Sequence, residues 1–293
     1  MPAAGNHSPA IFRRAFFVYS LLWAAPLLAA APANSLPPLS QTGKPDAAEA
    51  ARILEQFRNS GIPGGYYLEF ELRDLPRRGD ERVYHGRLWG ARNDLGAINR
   101  VELTDATGQT YRFLLQNGER AAVWRQAGGR VAPLDANALF EAVIPGVEVT
   151  AFDLQRPFLF WPDATLVNIS RILGRPAYTF LFRAPANVVT GTAGVSAVRA
   201  YFDTQFNQPL QTELLDGAGK VLKTFSVVSL KTVDHQTLPK AVDFRNEFTR
   251  DKTRFQVTAA ALNLALPKAI FDPGRLNEKA AVPSPENLTR IEP

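Results

Sequence analysis

Val198-Arg199-Ala200-Tyr201-Phe202-Asp203 begins residues 198–261, the stretch that decides the fold. A polar turn separates it from Gln208-Pro209-Leu210 and Thr212-Glu213-Leu214-Leu215. The loop Asp216-Gly217-Ala218-Gly219-Lys220 then leads into an apolar-rich run over 221–231 and a second turn ending at Leu238-Pro239. Beyond it, Val242, Phe244, Asn246 and Phe248 alternate with Asp243, Arg245, Glu247 and Thr249. Phe255, Val257, Ala259 and Ala261 repeat the rhythm against Arg254, Gln256 and Thr258. Strand side chains point to opposite faces at every second residue, so each run has one buried and one wet face. Five short strands joined by tight turns predict an antiparallel meander.

The pattern extends upstream. Tyr66, Leu68, Phe70 and Leu72 alternate with Tyr67, Glu69, Glu71 and Arg73, and further strands are predicted over 82–89 and at Val101 and Leu103. Runs over 111–116 and 120–125 flank Asn117-Gly118, a pair suited to the positive φ angles of a two-residue hairpin turn. Residues 165–173 and 175–182 resume the strands, with Tyr178, Phe180 and Phe182 on one face. Asp46 reads as the N-cap of a helix that buries Ala50, Ile53, Leu54 and Phe57 before Gly61-Ile62-Pro63-Gly64-Gly65 stops it. Residues 135–142 and 149–161 read as short helices, the second kinked at Pro157, and 187–194 as a small-residue loop. The expected architecture is mainly β, with about ten antiparallel strands and about three helices. A sheet of that size twists and curls, leaving a concave face for the helices to cover.

Bulk composition is that of an ordinary globular chain: 293 residues, 46% hydrophobic and 21% charged. The formal charge of +5 includes Arg13 and Arg14; without them 31 basic residues face 28 acidic ones, close to +3. Those arginines precede an apolar run over 15–28, and Ala31-Pro32-Ala33 fits an A-x-A cleavage pattern. Residues 1–33 are therefore expected to be a signal peptide cut after Ala33. The run is shorter than the roughly 20 residues a bilayer-spanning helix needs. The arginine pair also resembles a twin-arginine signal, which leaves the export route open. Residues 34–45 read as a linker, 46–276 as the folded domain and 277–293 as a loose polar tail. The mature chain is expected to be exported, monomeric and without a transmembrane segment.

Catalytic and metal chemistry find little footing. With no cysteine, the chain has no disulfide, thiolate metal site, cysteine nucleophile or lipid-modified N-terminal cysteine. After His7, only His85 and His235 remain, and no H-E-x-x-H or H-x-H spacing unites them. G-x-S-x-G is absent, and Gly217-Ala218-Gly219-Lys220 precedes a strand, not the helix a phosphate loop requires. Glu69 and Glu71 sit on the polar side of their strand, where charges are solvated. Basic residues are interspersed with acidic ones, which argues against nucleic acid as a partner. What remains is apolar, with 19 phenylalanines and aromatic residues repeating on one strand face. Two readings stay open: a core filled under helices, or a concave sheet left partly unfilled for an apolar ligand. The inward set comprises Tyr66, Leu68, Phe70, Phe158, Trp161, Phe180, Phe202, Phe225, Phe244 and Phe248.

Several of these elements carry a resemblance. Gly174-Arg175-Pro176-Ala177-Tyr178-Thr179-Phe180 gives a glycine-led strand after the apolar segment 152–162. The strand 198–203 ending in an acid, Gln208-Pro209-Leu210, the D-x-x-G-K hairpin 216–220 with Val221-Leu222-Lys223-Thr224, and Leu238-Pro239-Lys240 follow in order. Together they resemble the outer-membrane lipoprotein-sorting proteins of the LolA-like superfamily, over roughly residues 46–276. The resemblance implies an incomplete antiparallel β-barrel lidded by helices. It also implies a non-catalytic, cofactor-free role: shielding acyl chains of a lipoprotein or lipid in the periplasm, between an inner-membrane exporter and an outer-membrane acceptor. A non-catalytic envelope interaction module with a filled sheet core is the alternative.

Overall fold

The structure, a computed structural model, describes residues 46–189, 193–205 and 208–292. The signal-peptide and linker expectations, on residues 1–45, lie outside the described residues. Helix α1 (Ala47–Asn59) starts where Asp46 accepts a hydrogen bond from the Glu49 amide at 2.8 Å, and it buries Ile53, Leu54 and Phe57 as its periodicity predicts. Strands β1 (Gly65–Leu75), β2 (Arg82–Asn93), β3 (Gly96–Thr104), β4 (Thr110–Gln116), β5 (Ala122–Ala127) and β6 (Arg130–Pro133) follow. A covering segment contains α2 (Ala151–Gln155) and a 3-10 turn, Pro157–Phe160. Next come β7 (Ala164–Ile172), β8 (Arg175–Arg183), a single-turn α3 (Ala186–Val189), β9 (Ala197–Asp203) and β10 (Pro209–Leu215). Strands β11 (Val221–Val233), β12 (Gln236–Asn246), β13 (Lys252–Leu264) and β14 (Thr289–Arg290) complete the sheet.

All pairings are antiparallel, in the order β6-β5-β4-β3-β2-β1-β13-β12-β11-β10-β9-β8-β7, with β14 added to β13. Residues 198–261 form the five-strand meander β9–β13 that their alternation predicts. The edges β6 and β7 do not pair with each other, so the sheet is open, as in an incomplete barrel. Fourteen strands replace the expected ten or so; β6 and β14, four and two residues long, are too short to show an alternation. The small-residue loop after β8 contains α3, and residues 135–142 supply only a 3-10 turn, Ala138–Phe140.

Turn chemistry departs from expectation in one hairpin. Gln116 pairs with Ala122, so the β4–β5 loop has five residues and Asn117-Gly118 is not a two-residue turn. Asn117 is used elsewhere, donating from Nδ2 to the Gln155 carbonyl at 2.8 Å. Two-residue turns with both φ angles positive occur instead at Leu173-Gly174 (50° and 80°) and Asp234-His235 (46° and 63°).

The inner face carries two packed clusters. On the β7–β10 half, α1 and the Pro157–Phe160 turn press Phe57, Phe158 and Trp161 onto Phe180, Phe182 and Phe202, and Phe57 stacks on Phe202 at 4.0 Å. On the β2–β5 half, Val143, Ile144, Val147 and Val149 cover Tyr84, Val101, Leu103 and Phe113. A bulge between β1 and β13 near Glu69 changes the phase of the alternation. Val257 therefore joins Leu68, while Ala261 lies with Tyr67 and Trp89 in a separate cluster.

Residues 277–288, expected as a loose tail, continue from the end of the folded domain as a strap. With 266–276 they pack on the outer face over Tyr67 and Trp89, so β1 is buried on both sides where Tyr67 was expected to be wet. Trp89 Nε1 donates to the Ala281 carbonyl at 2.8 Å, and Ile291 is buried beside Val233 and Leu238. Arg100, only 1% exposed, holds this strap. Its guanidinium pairs with Glu102 at 2.7 Å and donates to the carbonyls of Ile270, Arg275, Leu276 and Glu278. Composition hides this anchoring, because the strap is held by its backbone carbonyls. Replacing Arg100 with Met should cost about 3 kcal/mol, since Glu102 and those carbonyls lose a buried partner. Denaturant unfolding together with faster amide exchange across residues 270–288 would check it.

Candidate functional site

The centre of the inner face, over β1 and β11–β13, is partly packed, since Phe70, Val242 and Phe244 belong to the second cluster, and partly bridged. The bridge is α2, fixed at both ends by polar side chains. Gln155, 3% exposed, donates from Nε2 to the carbonyls of Gln116 (2.6 Å) and Ala122 (3.2 Å). At the other end Thr150 and Asp153 form a reciprocal capping box, and Asp153 also accepts from Lys223 Nζ on β11. Lys223 donates as well to the Glu148 carbonyl, and the Glu148 amide donates to Thr253 Oγ1 at 2.8 Å. Burial pushes the Glu148 carboxyl up, opposed by a hydrogen bond from Asn246.

Beneath the bridge is a hollow of about 200 Å³ that opens to solvent at its mouth. Tyr66, Leu68, Leu88, Leu238, Val242, Phe244, Phe255 and Val257 line it from the sheet. Ser60, Gly61 and Ile62 at the end of α1, Leu154 and Arg156 from the bridge, and Gln208 and Pro209 complete it. A small recess of about 20 Å³ shares Asp153, Arg156 and Phe225 with it. Two glycines shape this wall. A Cβ at Gly90 would lie 2.0 Å from the Tyr66 ring and one at Gly86 2.2 Å from the Phe70 ring, so both aromatic rings lie flat across bare backbone.

The sequence-selected residues divide into three groups. Tyr66, Leu68, Phe225 and Phe244 line the hollow, Phe158 lines the recess, and Phe70 stacks on the hollow residue Phe255 at 4.3 Å. Trp161, Phe180 and Phe202 are packed in the filled cluster under α1. Phe248 does not face inward; it is 81% exposed in the β12–β13 turn, because Asn246 Oδ1 accepts from the amides of Phe248 and Thr249 and ends the strand. Sequence reasoning missed Leu88, Leu154, Arg156, Leu238 and Val257 as lining residues. Arg156 was the visible signal, a lone cation within the aromatic run 152–161. Glu69 and Glu71 are in surface ion pairs with Arg290 and Arg73.

Polar side chains share the lining with the apolar ones: Ser60, Tyr66, Asn99, Asp153, Arg156, Gln208 and Thr237 all reach the hollow. Tyr66 donates its hydroxyl to Asn99 Oδ1 at 2.7 Å, and burial pushes its pKa up to about 12. Arg156 is exposed, its surface turned to the hollow and its open mouth, and desolvation by the surrounding protein atoms lowers its pKa against the opposing influence of Tyr66.

No protein-family model and no curated protein sequence matches the chain. Solved structures do match. A candidate outer membrane lipoprotein-sorting protein domain from Vibrio parahaemolyticus superposes with a TM-score of 0.67 at 15% identity, covering 80% of this chain and 100% of that one. A DUF1329 family protein from Desulfovibrio piger gives 0.66 at 12% identity, over 79% and 100% of the two chains. A LolA superfamily protein from Nitrosomonas europaea gives 0.59 at 16%, over 76% and 97%. The chain therefore has a LolA-like fold.

Two outcomes follow from the bridge and the wall. Lys223→Met leaves Asp153 buried without its cation, and should lower stability by about 3 kcal/mol with accelerated amide exchange over residues 148–156. For Tyr66 the folded pKa lies above the ordinary value of 10.0. Keeping that phenol neutral therefore favours the folded state below about pH 10, and the advantage is lost as pH rises toward 12. Thermal unfolding of Tyr66→Phe should show a shallower loss of stability across this window than the natural protein.

Proposed function

We propose that this protein is an exported periplasmic carrier. It shields acyl chains of a lipoprotein or lipid in its hydrophobic hollow during transit to the outer membrane. The observation that carries this reading is the unfilled apolar space under α2. Each methylene moved from water into such a space contributes about 0.8 kcal/mol, so a dry hollow is the physical requirement of an acyl carrier. The LolA-like fold supports the same reading at the level of architecture. Loading and release then use the mouth formed by the end of α1 and by α2, with an inner-membrane exporter and an outer-membrane acceptor as partners. Export rests on the N-terminal signal and the cut after Ala33. Among the described residues no helix is long and apolar enough to cross a membrane. The carrier acts as a monomer, without cofactor or catalytic step.

A second reading, an envelope interaction module, is favoured by one observation: the β7–β10 half of the inner face is filled by Phe180, Phe182, Phe202 and Trp161. Native mass spectrometry of the protein purified from its own envelope separates the two. The carrier retains acyl ligand, whereas a module gives only the bare chain mass. Filling the hollow by Leu88→Phe with Leu154→Trp should weaken binding of a fluorescent acyl probe at least tenfold while leaving the unfolding temperature unchanged. Unaltered probe affinity in that variant would place the ligand elsewhere.

A further inference from the structure

Several polar side chains around the hollow have partners, among them Ser60, which donates to the Phe57 carbonyl. Tyr66 is bonded to Asn99, and Asp153 is held by Lys223 and the α2 cap. Among the described residues nothing forms a hydrogen bond or ion pair with the Arg156 side chain. The guanidinium is exposed into the open hollow, so it keeps water while the space is empty and would lose that water without a counter-ion once an acyl chain filled it. Its backbone adds a second cost. Arg156 is left-handed (φ 56°, ψ 54°), a conformation that glycine or asparagine adopts with less strain at a helix C-terminus. Pro157 follows and disfavours right-handed helical geometry at position 156. The strained turn places the cation where the hollow and its recess meet. Such strain at a cavity residue points to a function for the side chain.

We infer that the hollow takes an acidic amphiphile, its acyl chain against Leu68, Leu88, Phe255 and Val257 and its carboxylate or phosphate head on Arg156. This inference rests on the carrier reading. The planar guanidinium presents paired N–H donors that match an oxyanion bidentately, and exclusion of water strengthens the contact. The same charge penalises a neutral ester or alcohol, which would leave the guanidinium desolvated and unmatched. Arg156 is thus a specificity-determining residue, while the apolar wall supplies affinity common to all acyl ligands.

The test uses the full chain purified after export and freed of lipid, with oleate, oleoyl lysophosphatidate, methyl oleate and inorganic phosphate as probes. The two acids should bind at least tenfold more tightly than methyl oleate, with inorganic phosphate alone far weaker. Arg156→Gln should bind methyl oleate as before and lose the preference for the acids, whereas Arg156→Lys should keep most of it. The unfolding temperature of Arg156→Gln should be unchanged, because the exposed side chain gives up no hydrogen bond or ion pair. Equal affinity of the natural protein for acid and ester, or a preference that survives Arg156→Gln, would overturn the inference while leaving the carrier reading intact. Tight binding of phosphate without an acyl chain would also overturn it, by showing a small-anion site. A lowered unfolding temperature with ester binding lost would assign Arg156 to structure instead. If no probe binds, methyl oleate included, it is the carrier reading that fails.

Discussion

The short helix Ala151–Gln155 packs Ala151 and Phe152 into the flanking clusters and is fixed over the middle of the sheet by polar side chains at both ends, and the hollow depends on that polar attachment. Gln155 ties one end to the β4–β5 carbonyls, and the Asp153–Lys223 pair ties the other to β11. Were the helix held by apolar burial alone, collapse would draw it down until the space was filled, because interiors pack to crystal-like density. A hydrogen bond has a fixed length, so a helix bonded at both ends can span a gap without closing it. The flanking clusters, under α1 and under residues 143–149, provide the stability that the centre does not.

The outer strap answers a related problem. A curled sheet that leaves part of its inner face uncovered loses burial there, and β1 lies at the centre of the strand order. Residues 266–288 restore burial from the other side, over Tyr67 and Trp89, and Arg100 gathers their carbonyls. Beyond the last β12–β13 pair, at Ala241 and Gln256, β14 takes up Ala259 and Ala260 of β13. The central strands are thereby covered on their outer side while the space above them stays open.

Aromatic residues serve two different ends in this fold. Trp161, Phe180 and Phe202 interlock under α1 and are spent on stability. Tyr66, Phe225, Phe244 and Phe255 face the hollow, where Phe225 and Phe244 meet edge to face at 5.3 Å. Gly86 and Gly90, opposite Phe70 and Tyr66 on β2, keep those rings flat against the sheet and so preserve the room above them. Composition counts both sets alike, and only their neighbours tell them apart.

Alternation by itself determined the antiparallel meander β9–β13, the amphipathic α1 and most of the inward residues of β1, because a period of two or 3.6 residues is a local property of the chain. The D-x-x-G-K loop was legible as a hairpin for the same local reason, Asp216 accepting from the amides of Ala218 and Lys220. Tertiary structure alone decided the rest. The phase change at the Glu69 bulge, the outward turn of Phe248, the strap over Tyr67 and the divide between filled and open halves all depend on partners distant in sequence. Arg156 shows the difference most sharply. The sequence displays a cation among aromatics, but that it lies on the lining of an open hollow is set by Tyr66, Leu88 and Phe255, which lie far away along the chain.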